Sequence, residues 1–153
     1  MHEFTLKGAH TMSAQEKENK AIYARIVEEG FNKGNLSVTD ELVAANHVNH
    51  NDNVHGPEEY KGFITLFRTA FPDLHMMIVD QIAEGDKVVN RWTATGTHKG
   101  ELMGIPPTGK QMEVTGTYTA RIVGGKIVEE WGNWDGLGMM QQLGVLPAPG
   151  EGG

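Results

Sequence analysis

The chain has 153 residues, 39% hydrophobic and 22% charged, with a formal net charge of −7 and no cysteine. That composition fits one globular domain rather than a disordered chain. The acidic balance argues against a nucleic-acid backbone as partner, and the lack of cysteine excludes disulfides and thiolate metal sites. No apolar run is long enough to cross a bilayer, and Met1 to Thr11 lacks the apolar centre of a secretory leader, so no membrane partner is expected and a reducing cytoplasm is the expected compartment.

Residues 1–12 show no pattern and are expected to form a flexible extension. Ser13-Ala14-Gln15-Glu16 has the form of a capping box. The helix it opens carries Ile22, Ile26, Val27 and Phe31 toward a core, and Gly34 is placed to stop it. Asp40-Glu41-Leu42-Val43 suggests a short second helix. Gly56-Pro57-Glu58-Glu59 puts proline in a first helical turn with acids beside it; Phe63, Ile64, Leu66 and Phe67 give that third helix an apolar side, and Pro72 ends it.

The pattern then changes to strands: His75 to Ala83, Lys87 to His98, Gln111 to Val123 and Lys126 to Trp134. Glu84-Gly85-Asp86 and Gly124-Gly125 supply tight turns, and Gly100 to Gly109 a longer loop. A closing helix follows from Gly136 to Leu143, and residues 148–153 read as a Pro/Gly-rich flexible tail. Helices followed by an antiparallel meander predict a single α+β domain over 13–147, with helices on one side of a long curved sheet and a cavity between the layers.

Candidate chemistry concentrates at the end of the last strand. Strand alternation puts Trp131, Asn133 and Asp135 on one face. An indole, an amide and a carboxylate make a poor dry core and a good pocket wall. Asp135 has two readings. It is a favoured N-cap for the closing helix, and in an apolar cavity it is a general base. His98, in Gly96-Thr97-His98, is either a hydrogen-bonded strand end or a donor to a developing enolate oxygen. Tyr118 can reach the cavity, and Trp92 shares strand parity with His98.

Asn46 to His55 holds His47, His50, His55 and Asp52. The asparagine density reads as a helix end running into a polar loop. The spacing fits no metal-ligand pattern, so no metal is expected, and His50 is placed at a pocket mouth. The glycines form no phosphate loop.

Ala70-Phe71-Pro72-Asp73-Leu74, Ala83-Glu84-Gly85-Asp86-Lys87-Val88, Arg91-Trp92-Thr93, Gly96-Thr97-His98, Gly104-Ile105-Pro106-Pro107-Thr108-Gly109-Lys110, Gly125-Lys126-Ile127-Val128-Glu129-Glu130-Trp131 and Gln142-Leu143-Gly144 resemble the SnoaL-like polyketide (ester) cyclases in order and spacing. The resemblance covers roughly 13–147. It implies a cystatin-like, nuclear transport factor 2-like α+β cone, a homodimer or homotetramer, and intramolecular aldol condensation of a polyketide ester without metal, cofactor or lysine Schiff base. It places the acid/base carboxylate on Asp135 and the Gly-Thr-His histidine on His98. His50, Trp92, Tyr118, Trp131 and Asn133 are the expected contacts to a small apolar or polyketide-like ligand. Two alternatives share the scaffold: a non-catalytic binding or oligomerisation module, and a proton-shuttling isomerase of the ketosteroid type.

Overall fold

The computed structural model describes residues 11–150, so most of the expected N-terminal extension and part of the expected tail lie outside the described residues. Helix α1, Ala14–Arg25, opens on the capping box: the Glu16 amide donates to Ser13 Oγ at 3.1 Å and the Ser13 amide to Glu16 Oε1 at 2.9 Å. Glu16 also accepts from the Gly85 amide at 2.9 Å, which ties the helix start to a strand turn. The helix runs on as a wider π-helical segment, Ile26–Asn32, whose buried face carries Ile26, Val27 and Phe31. Sequence pattern alone does not distinguish this widening from α-helix, because the same residues face inward in both.

A short helix, α2 (Val38–Leu42), leads directly into strand β1 (Val43–Asn49), and β2 (Val54–His55) follows after a turn. Helix α3 (Gly56–Ala70) has proline and two acids in its first turn, and Phe71 closes it before Pro72. Four strands come next: β3 (His75–Glu84), β4 (Lys87–Thr97), β5 (Gln111–Val123) and β6 (Lys126–Trp134), then helix α4 (Gly136–Gln142).

The six strands form one sheet in the order β2-β1-β6-β5-β4-β3. All neighbouring pairs are antiparallel except β1 with β6, which is parallel. The expected four-strand meander is therefore extended by two strands, and the segment Asn46 to His55, expected to be a helix end and polar loop, is the end of β1, a turn over 50–53 and β2. The reason is compositional. β1 reads Val-Ala-Ala-Asn-His-Val-Asn, with few β-branched residues, and its buried positions include His47 and Asn49 rather than a run of aliphatics.

Even-numbered residues of β4 and β5 face the helices: Val88, Trp92 and Ala94 on one strand, and Met112, Val114, Tyr118 and Ala120 on the next. The opposite face carries Thr93, Thr95, Thr115, Thr117 and Thr119, the residue type that suits a pleated, half-exposed surface. The outer edge strand β3 is held by Asn32, whose side chain accepts from the Met76 amide at 2.7 Å and donates to the Met76 carbonyl at 2.8 Å, as a neighbouring strand would. Ile64, Phe71 and Ile127 are fully buried in the core between helices and sheet. The result is the expected α+β architecture, helices on a curved sheet, with a cavity left between the layers.

Candidate active site

The cavity and its mouth together contain about 620 Å³ of space free of protein atoms, open solvent included. Phe31, Phe63, Phe67, Leu74, Met76 and Met112 make much of its wall apolar. The polar groups on the wall are Tyr23, Asn49, Tyr60, Tyr118, Glu130 and the indoles of Trp92 and Trp134. Glu130 is the one carboxylate among the described lining residues, and none of them is a lysine, arginine or histidine.

Glu130 projects inward from β6 and is buried. Its Oε2 lies 2.7 Å from Nε2 of His47, a fully buried residue of β1. Its Oε1 accepts a longer hydrogen bond, 3.4 Å, from the Tyr60 hydroxyl. The Tyr60 ring packs edge-on against the His47 imidazole at 5.3 Å. Burial, then the Glu130 charge, push the Tyr23 and Tyr60 phenols well above their ordinary range, so both stay protonated and serve the carboxylate as donors. The Nδ1 atom of His47 has no hydrogen-bond partner among the described residues.

A second polar cluster closes one side. Asp52, in the β1–β2 turn, accepts from the Tyr118 hydroxyl, from Asn49 Nδ2 at 3.1 Å and from Trp134 Nε1 at 3.5 Å. Asn49 Oδ1 in turn accepts the Asn51 and Asp52 amides at 3.0 and 3.1 Å. The turn is thereby fastened to two aromatic side chains of the cavity wall. Burial, then the hydrogen bond to Asp52, hold the Tyr118 phenol above its ordinary range.

The expected site residues separate into three groups. Trp92 and Tyr118 line the cavity, and Trp92 Nε1 is buried without a partner among the described residues. Trp131 and Asn133 do not share their wall. They lie on the outer sheet face and are exposed, and His50 stacks on Trp131 there at 5.4 Å while bonding Glu129 at 2.9 Å. Asp135 is exposed and caps α4, accepting the Gly138 amide at 2.9 Å. Of its two sequence readings, the geometry is that of the cap. His98 is buried away from the cavity, against Phe71 at 5.5 Å, and its Nδ1 accepts the Thr108 amide at 3.2 Å. It latches the loop between β4 and β5.

The misplacement has a definite cause. The β5–β6 ladder shifts register between Arg121 and Ile122, so Ile127 and Glu130, three residues apart, both point inward. Such an irregularity reverses strand parity, putting Glu130 and Trp134 inside and Trp131 and Asn133 outside. The cue available in the sequence was Gly132, an inward position on a strand otherwise rich in large side chains. The histidines of the Asn46–His55 segment diverge: His47 is buried on Glu130, His50 faces outward and His55 pairs with Glu59. Among the described residues no three His, Asp or Glu side chains gather as a metal-ligand set, and no helix is long and apolar enough to cross a membrane.

Comparison with known proteins gives a consistent picture. The model of the SnoaL-like polyketide cyclase family matches residues 21–143. The aklanonic acid methyl ester cyclase of Streptomyces peucetius is 29% identical over 126 residues, covering 78% of this chain and 87% of that protein. The nogalonic acid methyl ester cyclase of Streptomyces nogalater is 28% identical, covering 74% and 89%. Among solved structures, a candidate SnoaL-like polyketide cyclase from Jannaschia sp. CCS1 superposes with a TM-score of 0.81 at 25% identity, covering 90% of this chain and 99% of that one. TsrD from Streptomyces laurentii gives 0.79 at 27%, covering 85% and 97%.

Proposed function

The chain belongs to the SnoaL-like polyketide cyclase family, and we propose that it closes a ring in a polyketide ester by intramolecular aldol condensation, with Glu130 as general base and then general acid. The observation that carries this reading is a buried carboxylate on the wall of an apolar cavity, Oε2 tied to His47 at 2.7 Å and Oε1 in a longer, 3.4 Å contact with the Tyr60 hydroxyl. Oε1 takes a proton from the carbon next to the ester carbonyl. The enolate carbon attacks a ketone carbon of the same molecule, forming the ring bond and leaving an alkoxide, to which Glu130 returns the proton. The balance needs no oxidant, reductant or further reactant.

His47 and Tyr60 hold the carboxylate in place. Asn49 and the unpartnered indole N–H of Trp92 are the N–H groups available to the enolate oxygen. The aromatic walls fold a flexible chain and bring its reacting carbons together, a contribution of orientation. Two relatives are methyl ester cyclases by name. A wall with a carboxylate and no cation suits a ligand whose own carboxyl is masked as an ester, because a free carboxylate there would be buried unpaired. A second copy of the chain is the proposed partner, seated on the outer sheet face.

The test is turnover of a polyketide methyl ester, with aklanonic acid methyl ester as first substrate, followed by chromatography. Ring closure by wild type and its loss in Glu130→Gln support the reading. Binding of the ester by wild type without any covalent change assigns the cavity to a small-molecule-binding module.

A further inference from the structure

We infer that Gly116 and Gly132 set the depth of the cavity, and with it the size of ligand admitted, by letting the rings of Trp92 and Tyr118 lie flat on the sheet. The inference rests on the cavity being the substrate site. Gly116 of β5 stands opposite Trp92 of β4 on one side and Trp134 of β6 on the other, and Gly132 of β6 stands opposite Tyr118. All these positions face the helices, so each glycine is a missing side chain in the floor of the cavity.

The neighbouring rings occupy those gaps. A Cβ on Gly116 would lie 2.4 Å from Cζ2 and 2.7 Å from Cε2 of Trp92, and one on Gly132 would lie 2.6 Å from Cδ1 and 2.7 Å from Cγ of Tyr118. Non-bonded carbons settle at about 3.5–4.0 Å, so neither ring can keep its place over an alanine. The two rings run nearly side by side, 26° apart in plane with centroids at 6.1 Å, and make a low aromatic floor. A displaced ring can move only away from the sheet, into the space a ligand would fill. A flat, conjugated ligand of several rings is the shape this floor admits, and the glycines act as size determinants without touching it.

Gly116 is the better site to test, because its third close contact, at 2.8 Å, is to a side-chain atom, Trp134 Cβ, whereas a side chain at Gly132 would meet the backbone carbonyl of Thr117 at 2.8 Å. The probes are 1,8-dihydroxyanthraquinone, planar with three rings, and phenol, with one ring, titrated calorimetrically. Gly116→Ala is expected to weaken the three-ring probe about tenfold or more and to change phenol less than about twofold. Adding Trp92→Leu removes the two nearest colliding atoms, leaving the 2.8 Å contact to Trp134 Cβ to be relieved by a small shift of that side chain, and is expected to return three-ring binding to within about threefold of Trp92→Leu alone.

Equal losses for both probes, an unchanged three-ring affinity, failure of Trp92→Leu to rescue, or no three-ring binding by wild type each overturn the inference. Should Gly116→Ala fail to fold, recovery of folding on adding Trp92→Leu supports the collision, and its absence overturns it. Binding needs no turnover. A wild type that binds the anthraquinone and cyclises no ester sinks the cyclase reading and leaves this one standing.

Discussion

His47 and Glu130, eighty-three positions apart in the chain, meet across the parallel strands β1 and β6 with Nε2 and Oε2 2.7 Å apart and both side chains closed to solvent. A buried carboxylate is costly unless hydrogen bonds compensate it. Here an imidazole and the Tyr23 and Tyr60 phenols do so, while the carboxylate still faces the cavity. Glu130→Gln keeps the shape and the hydrogen-bonding capacity and removes the base. Turnover of the polyketide ester should fall at least about 10²–10⁴-fold, while calorimetric affinity for the same ester stays within about threefold. Turnover near the wild-type rate in that variant would remove Glu130 from the mechanism.

The same pair should dominate stability locally. His47→Leu leaves the carboxylate buried without its nearest donor, a change that costs about 3–5 kcal/mol. Replacing both partners, His47→Leu with Glu130→Leu, removes the uncompensated charge as well and should cost less than His47→Leu alone. Urea unfolding of the three proteins checks the order. If the double variant is the least stable, the pair is not the coupled unit described.

Asp135 offers the matching negative control. Its carboxylate caps α4 from the exposed end of β6, and asparagine caps as well as aspartate. Asp135→Asn should therefore turn over ester within about twofold of wild type, and Asp135→Ala should lose about 1 kcal/mol in thermal unfolding through the missing cap. A folded Asp135→Asn protein with no turnover would return the base to the strand end.

Much of the fold was legible because local signals agreed with it. The capping box at Ser13, the proline in the first turn of α3, and the glycine turn between β5 and β6 each specify a backbone event within four residues. The site was less legible because it depends on register and on distant partners. Trp92 and Tyr118 were found by regular alternation within β4 and β5. Glu130 was missed because one irregularity in the β5–β6 ladder reverses the parity downstream. His47, Asn49 and Asp52 were missed because β1 is a polar strand whose partner lies at the far end of the chain, and no local periodicity reports a parallel pairing of that span.

The outer sheet face carries apolar side chains that a lone subunit leaves in water, among them Ile82, 62% exposed, and Met77, 55% exposed, flanked by the threonines of β4 and β5. Patches of this kind mark association surfaces. Sedimentation velocity should show a species larger than one chain, and Ile82→Glu should shift it toward the monomer while leaving the circular dichroism spectrum unchanged. A monomeric wild type at micromolar concentration would leave that face without the proposed partner.

Tyr23, Tyr60 and Tyr118 are all the tyrosines of the chain, and all three phenols are pushed above their ordinary value, first by burial and then by the charge of Glu130 or the bond to Asp52. The folded protein therefore holds its phenolic protons where the unfolded chain, with tyrosines near pKa 10, releases them. The unfolded state binds fewer protons in that range, so stability is fully present below about pH 10 and declines as pH rises beyond it. Absorbance at 295 nm should stay flat through the pH where free tyrosine ionises and then rise in one cooperative step that coincides with loss of far-ultraviolet dichroism. A gradual rise centred near pH 10, with the fold intact, would mean that at least one of these hydroxyls is open to solvent, and the cavity lined by the Tyr23, Tyr60 and Tyr118 rings would lack the enclosure that the proposed chemistry requires.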